Sequence, residues 1–392
     1  MQEIIETYLE KYLPRKDIIH RLPVSLPISK VWPELQKARK DKSESLPLLS
    51  IDGKPFWWVL TQSISSQADE VISLARREIV FDRPEYEEAF REAVLDEAVY
   101  SSVIEGAFTT KKEAREFIHE GRSPKNKSEQ MVKNNFEALT YVLEHIDESI
   151  TEQTIFDIYA LVTKDTLETD VPTNAYRSES VFVQSSRGEI VHTAPEAEKV
   201  SGMMASLLEF ITNNELSPLI KACIAHFYFV YVHPFIDGNG RTARALSFMM
   251  LLQAGYDFFR YFSISGVIAE ERAKYYKAIK DVEDDDFDMT YFIDYYTGML
   301  ARAVKAMEER LVDKVVMEQT LDKPKAAGMN SRVIEGAKWI LTSPNQSITI
   351  KAWQKKFGVV LETARQDLFK LEDAGIVHRK LVKRQYVFEV KK

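Results

Sequence analysis

The sequence predicts a mainly α-helical chain: a helical extension at the N-terminus, a helical core holding one β-hairpin, and a small C-terminal domain of three helices and a two-stranded ribbon. Three observations carry that expectation. Apolar residues recur every three or four positions in segment after segment. One stretch switches to short β-rich runs around a Gly-containing turn. A segment with a Pro and a Gly near residue 324 then precedes a final piece of opposite charge.

Taken in order, helical spacing covers 1–13 and 68–80, while Leu22-Pro23, Leu26-Pro27, Trp57 and Trp58 read as packing elements, so that 1–85 forms the extension. The core, 86–316, begins with a pattern over 85–120 in which Tyr86, Phe90, Val94, Ala98 and Ser101-Ser102 recur at helical intervals. Helical patterns continue at 128–146, 151–166, 196–213, 217–232, 240–254, 267–283 and 288–316. Within them, Val181-Phe182-Val183 and Ile190-Val191-His192 flank Gln184-Ser185-Ser186-Arg187-Gly188-Glu189, the pattern of a hairpin, with a loop carrying two chance apolar triplets as the alternative. Residues 317–327 form a linker. Beyond it, in 328–392, come helices near 329–342, 349–357 and 361–374, with a turn at Gly358 and a C-cap at Gly375. Strand-like runs at Ile376 to Leu381 and Gln385 to Val390 complete the order of a winged helix-turn-helix.

The chain has 392 residues, 45% hydrophobic and 29% charged, which suits two or three domains and excludes a disordered, collagenous or low-complexity protein. Its one cysteine, Cys223, rules out an intramolecular disulfide and a Cys-rich zinc site. Met1-Gln2-Glu3 does not begin a signal peptide, and the most apolar stretch, Ala245 to Ala254, is too short to span a bilayer. The expectation is a cytoplasmic protein with no membrane partner. The net charge of −8 is uneven: residues 325–392 hold 14 Lys and Arg against 6 Asp and Glu, a local +8, which leaves −16 on the remainder. That asymmetry suggests a separate unit with its own partner.

Chemistry concentrates in Val232-His233-Pro234-Phe235-Ile236-Asp237-Gly238-Asn239-Gly240-Arg241-Thr242-Ala243-Arg244. An apolar helix ends near Val232, the Gly-Asn-Gly run can turn sharply, and a new helix starts at about Gly240. Backbone N–H groups then converge at a helix N-terminus, a place suited to phosphate. Arg241 and Arg244, three apart, share a face of the first turn and can clamp further phosphate oxygens. The carboxylate of Asp237 can hold Mg²⁺. His233, with an ordinary pKa of ~6.5, can act as a general base. Together these parts predict transfer of a phosphate-containing group, without a Walker lysine or a kinase-type Gly-rich loop. A buried helix-loop-helix with a surface anion site is the alternative.

The window resembles the signature of the Fic family, His-x-Phe-x-Asp/Glu-Gly-Asn-Gly-Arg-x-x-Arg, at every defined position. His226-Phe227 and Tyr176-Arg177 also look like that family, and the resemblance spans about residues 90–300. Most members transfer AMP from ATP to a Ser, Thr or Tyr hydroxyl of a protein and release pyrophosphate. The resemblance implies that His233 is the catalytic base, Asp237 the Mg²⁺ ligand, and Gly238, Asn239 and Gly240 the anion hole. Arg241 and Arg244 would bind the β- and γ-phosphates, Thr242 would belong to the nucleotide site, and Phe235 would anchor the loop. The hairpin would be the family's flap, with Val181, Phe182, Val183 and Gln184 contacting nucleotide and aligning a target segment by strand addition. Tyr275 and Tyr276 would line the adenine pocket. Glu283 stands where several relatives have Asn, amid Asp281, Asp284, Asp285 and Asp286, which leaves nucleotide choice open.

Ser101-Ser102-Val103-Ile104-Glu105-Gly106 resembles the family's inhibitory pattern, Ser/Thr-x-x-x-Glu-Gly/Asn. Ser101 and Glu105 share a helix face, and Gly106 can end the helix there. A carboxylate projected from that end and paired with Arg244 would occupy the arginine that the γ-phosphate needs. ATP and Mg²⁺ are thus the expected co-substrate and cofactor, and the partners are an unknown target protein or the chain itself, in a possible homodimer. In 328–392, Arg365 and Lys370 on the last helix and Arg379, Lys380, Lys383 and Arg384 in the wing suit DNA phosphates, with a protein-docking role as the alternative. Two rivals stand beside an autoinhibited AMP transferase. One is a nucleotide-sensing transcriptional regulator; the other is a relative that uses another donor or removes AMP.

Overall fold

The computed structural model describes residues 1–75, 84–119, 121–167, 171–184, 190–321, 329–341, 347–382 and 385–390. Helix α1 (Gln2–Lys11) packs Tyr8 against Ile18 of α2 (Arg15–Ile18) and Leu35 of α3 (Ile28–Lys40), a small apolar cluster of its own. The extension is not wholly helical. Strands β1 (Glu44–Leu49) and β2 (Pro55–Trp58) form an antiparallel hairpin before α4 (Gln62–Ala75). Asp52-Gly53, with Gly53 at φ 74°, is a strong turn signal between apolar runs, and it was available in the sequence. Phe56 of β2 sits edge-on to Phe227, Tyr228 and Tyr231, which docks the hairpin on the core.

The pattern read over 85–120 is two helices, α5 (Pro84–Ile104) and α6 (Lys111–His119). The break is a Schellman cap. Gly106 N–H donates to the Val103 carbonyl and Ala107 N–H to the Ser102 carbonyl, with Gly106 at φ 92°. Then come α7 (Lys127–Glu144) and α8 (Glu152–Thr163). The hairpin β3 (Phe182–Gln184) and β4 (Ile190–Thr193) follows, in the register Phe182↔Thr193 and Val183↔His192. Its turn, 185–189, lies outside the described residues.

After α9 (Ala197–Asn213), helices α10 (Pro218–Val232) and α11 (Asn239–Gln253) are buried around nearly their whole circumference, as suits the middle of a helical core. Next are α12 (Ile264–Glu270) and α13 (Arg272–Asp284), so the pattern at 267–283 begins in one helix and ends in another. Helix α14 runs Thr290–Leu321. Residues 317–321, expected in the linker, are therefore helical, and 322–327 lie outside the described residues. By contacts the chain divides into units Met1–Val304 and Lys305–Lys392.

In the second unit, α15 (Ser331–Leu341), β5 (Ser347–Thr349), α16 (Ile350–Phe357), α17 (Leu361–Asp373), β6 (Val377–Val382) and β7 (Gln385–Val390) follow in order. The sheet has three strands, in the order β5-β7-β6, where the sequence suggested two. Strand β5 escapes periodicity because it is three residues long and runs straight into the Thr349 cap of α16. Trp353 is fully buried in this core, and a Cβ at Gly336 would overlap its ring. Lys383 and Arg384 of the wing lie outside the described residues.

Candidate functional site

Helix α10 ends at His233, which takes a left-handed conformation (φ 50°, ψ 59°) and donates its N–H to the Phe229 carbonyl. Pro234 prevents the helix from continuing. Phe235, 1% exposed, stacks on Tyr159 of α8 with ring centroids 3.6 Å apart and roots the turn in the core. The side chain of Asn239 accepts from Phe235 N–H at 2.9 Å and donates to the Phe235 carbonyl at 2.8 Å, which closes the turn on itself. Gly238 sits at φ 79°, and a Cβ there would come within 2.7 Å of Thr163 Cγ2, so both conformation and space require glycine.

Helix α11 starts on this platform, and its first N–H groups have no intrahelical acceptor. Asp237, with its side chain 49% exposed, accepts from Gly238 N–H at 2.6 Å. Nδ1 of His233 lies 3.2 Å from the Val230 carbonyl, which can only accept. Nδ1 then carries the proton and Nε2 the lone pair.

The two arginines differ. Arg244 is tied by three hydrogen bonds: Nε donates to Ser101 Oγ (2.8 Å), and Nη2 donates to the Ser101 carbonyl (2.9 Å) and to Glu105 Oε1 (2.8 Å). Arg241, 1% exposed, donates Nη1 to the Val162 carbonyl at 2.6 Å and approaches Asp237 at 3.5 Å. Its Nε and Nη2 have no hydrogen-bond partner, and burial pulls its pKa down. The Glu105 carboxylate lies over the N-terminus of α11, where a Cβ on Gly240 would overlap Oε1. Burial works to raise its pKa, but the charge and hydrogen bond of Arg244, with the charge of Arg241, outweigh it, and the carboxyl stays below the ordinary range.

Two expected ligand contacts are corrected. Thr242 is fully buried and bonds the Gly238 carbonyl through both its hydroxyl and its N–H, so it has no group left to offer a nucleotide. Asn239, whose expected part in the anion hole is through its backbone N–H, uses its side chain inside the turn. Tyr275, 2% exposed, points inward and shares a 2.8 Å hydrogen bond with His226, whose burial holds its own pKa at about 3. Tyr276, 38% exposed, remains at the surface. The acidic run near Glu283 is structural. Lys16 and Lys277 pair with Asp281, Lys40 and Lys54 with Asp286, and the Arg15 N–H bonds Asp285.

A family model described as the Fic/DOC family matches residues 149–251, the span that contains α8, the hairpin and the turn. That span is similar to the Fic/DOC family. The protein adenylyltransferase Fic of Nematostella vectensis is 29% identical to it over 206 residues, 50% of this chain and 45% of that one. Its counterpart in Drosophila willistoni is 27% identical over 207 residues, 50% and 39% of the two chains. The matches thus span less than half the length of these curated relatives. A Fic family protein from Desulfovibrio desulfuricans G20 superimposes with a TM-score of 0.57 over 85% of this chain and 98% of that one at 21% identity, which shows the shared fold.

In this core one residue had no role in the sequence reading. Arg177, 5% exposed, donates to the carbonyls of His233, Glu179 and Pro195. Its only sequence signal was its place in Tyr176-Arg177, just before the hairpin.

Proposed function

We propose that the chain is a Mg²⁺-dependent protein adenylyltransferase with a catalytic core over 86–316, held off by Glu105. The observation that carries this reading is the Glu105 carboxylate lodged against Gly240 between Arg244 and the start of α11. The protein's own anion lies where a phosphate would bind. In the reaction, a target hydroxyl gives its proton to Nε2 of His233 while its oxygen forms a bond to the α-phosphorus of ATP. The bond from that phosphorus to the bridging oxygen breaks, and pyrophosphate leaves with the electron pair. The α11 N–H groups receive phosphate oxygens, and the bare nitrogens of Arg241 supply charge-assisted donors. Arg244 joins them once Glu105 withdraws.

Asp237 suits Mg²⁺. Its carboxylate is half exposed at the rim, and among the described residues no cluster of three metal-ligating side chains exists. Mg²⁺ takes one or two carboxylates and completes its shell with phosphates and water. When bound, the ion neutralises charge developing on the phosphates. The exposure of Phe182 on the hairpin, 51%, supports a role for it in meeting a target segment.

Intact-mass measurement of the Glu105→Gly protein after incubation with ATP, UTP or a phosphocholine donor tests the reading. It predicts an AMP adduct from ATP alone. An adduct from another donor would replace AMP with that group, and none from any donor would favour the nucleotide-sensing rival.

For 328–392 we propose a winged helix-turn-helix that contacts DNA phosphates. Arg379 and Lys380 are tied to Glu372 and Glu389, whereas Lys351, Lys355 and Lys370 are exposed. Binding to duplex DNA should weaken steeply with salt and depend little on sequence. Salt-independent retention, or none, would point to a protein partner.

A further inference from the structure

The transferase reading leaves the buried cation Arg177 without a task. Among the described residues the Arg177 guanidinium has no carboxylate as a hydrogen-bond partner, and burial lowers its pKa. Nε donates to the His233 carbonyl at 2.8 Å, Nη1 to Glu179 at 2.8 Å, and Nη2 to Pro195 at 2.6 Å and to Val232 at 3.3 Å. Its own N–H donates to the Pro234 carbonyl at 2.9 Å. A buried charge that meets only carbonyls has no ion pair to offset its desolvation and acts through the geometry of its hydrogen bonds.

Those partners fall into two groups. Val232 and His233 end α10, where the unsatisfied carbonyls favour a cation. Glu179 lies just before β3 and Pro195 just after β4, so the other two bonds hold both legs of the hairpin. A two-stranded hairpin has little stability of its own, and its position depends on its anchors. His233 is also a non-glycine residue in the left-handed region, a conformation that surrounding bonds must hold. Only a planar fork with five donors spans these acceptors at once; an ammonium cannot.

We infer that Arg177 is a positioning residue: it fixes the hairpin that aligns the acceptor hydroxyl in register with the imidazole that takes its proton. The inference rests on the transferase reading and deepens it. Loss of the fork lets hairpin and base drift apart while the phosphate cradle on α11 stays intact.

The test places Arg177→Lys and Arg177→Gln in the Glu105→Gly protein. Transfer to protein hydroxyls should slow about a hundredfold, the effect of a misplacement near 1 Å, while ATP affinity by calorimetry is unchanged. The ratio of AMP released to water over AMP bound to protein should rise, with lysine recovering part of the loss. By hydrogen exchange, amides of 181–184 and 190–194 should exchange faster, with α11 unaffected. A merely structural role lowers both products together, leaves their ratio fixed and loosens α11 as well; that result overturns the inference, as does unchanged exchange in the hairpin. If the Glu105→Gly parent transfers no AMP, the transferase reading falls, and the exchange measurement still decides whether Arg177 anchors the hairpin.

Discussion

In the acidic run 281–288 nearly every carboxylate has a partner, while in the turn 233–244 a buried guanidinium keeps two nitrogens without one. Asp281 lies 2.5 Å from Lys16 and 2.7 Å from Lys277, Asp286 meets Lys40 and Lys54, and Asp288 accepts from Tyr12 and from Thr290 N–H. These bonds fasten the N-terminal extension to the start of α14. Arg241, equally buried, has one hydrogen bond to a carbonyl and a carboxylate at 3.5 Å. Buried polar groups are almost always satisfied, so an exception calls for a reason. On the proposed function, the difference separates carboxylates whose hydrogen bonds hold the fold together from a cation held ready for a ligand.

The largest effect should come from the contact that closes the open region. Glu105→Gly should raise self-labelling by labelled ATP about a hundredfold, the scale of a misaligned phosphate, and His233→Ala in that background should abolish it. Because the Glu105 carboxyl sits below its ordinary range, its contact with Arg244 persists at neutral pH and is lost only as pH falls through that lowered value. The ratio of Glu105→Gly to wild-type labelling should therefore stay flat from about pH 6 to 8. A steep fall toward pH 6 would mean that another group controls the contact.

Arg241→Met should come next. It should remove ATP binding without lowering the melting temperature, since a buried cation with few partners costs about as much as it contributes. A collapse of thermal stability would move Arg241 to the structural side of the comparison.

In the paired region, burial raises Asp288 from the usual 3.8 to about 6. The folded chain then holds a proton that the unfolded chain releases, so stability falls as pH rises through that window. Asp288→Asn should stabilise the protein at pH 7.5 by on the order of 2–3 kcal/mol and give no gain at pH 4, measured by denaturant unfolding at both values. The smallest effect belongs to Lys54→Ala. Its pair with Asp286 is exposed at the lysine end, and its loss should cost under about 1 kcal/mol.

These regions were unequally legible in the sequence. The turn announced itself because glycine spacing and paired arginines constrain the backbone locally; Gly238 at φ 79° is the outcome. Helices α10 and α11 were visible as apolar runs. The hairpin β1–β2 was hidden because Pro47 and the Trp57-Trp58 pair look like loop and packing residues, although Asp52-Gly53 marks a turn. Nor could the sequence assign the acidic run, whose partners Lys16, Lys40 and Lys54 lie more than two hundred residues away. The inward turn of Tyr275 depends on His226, and the closure of Thr242 on Gly238 is a matter of rotamer and depth, which spacing does not encode.

The most direct test is calorimetric titration of Mg²⁺ and ATP into the Glu105→Gly protein, with the Arg241→Met/Glu105→Gly protein as its comparator. The account predicts heat of binding at one site in the first and none in the second. Equal heats in both, or silence in both, would contradict a polyphosphate cradle at the start of α11.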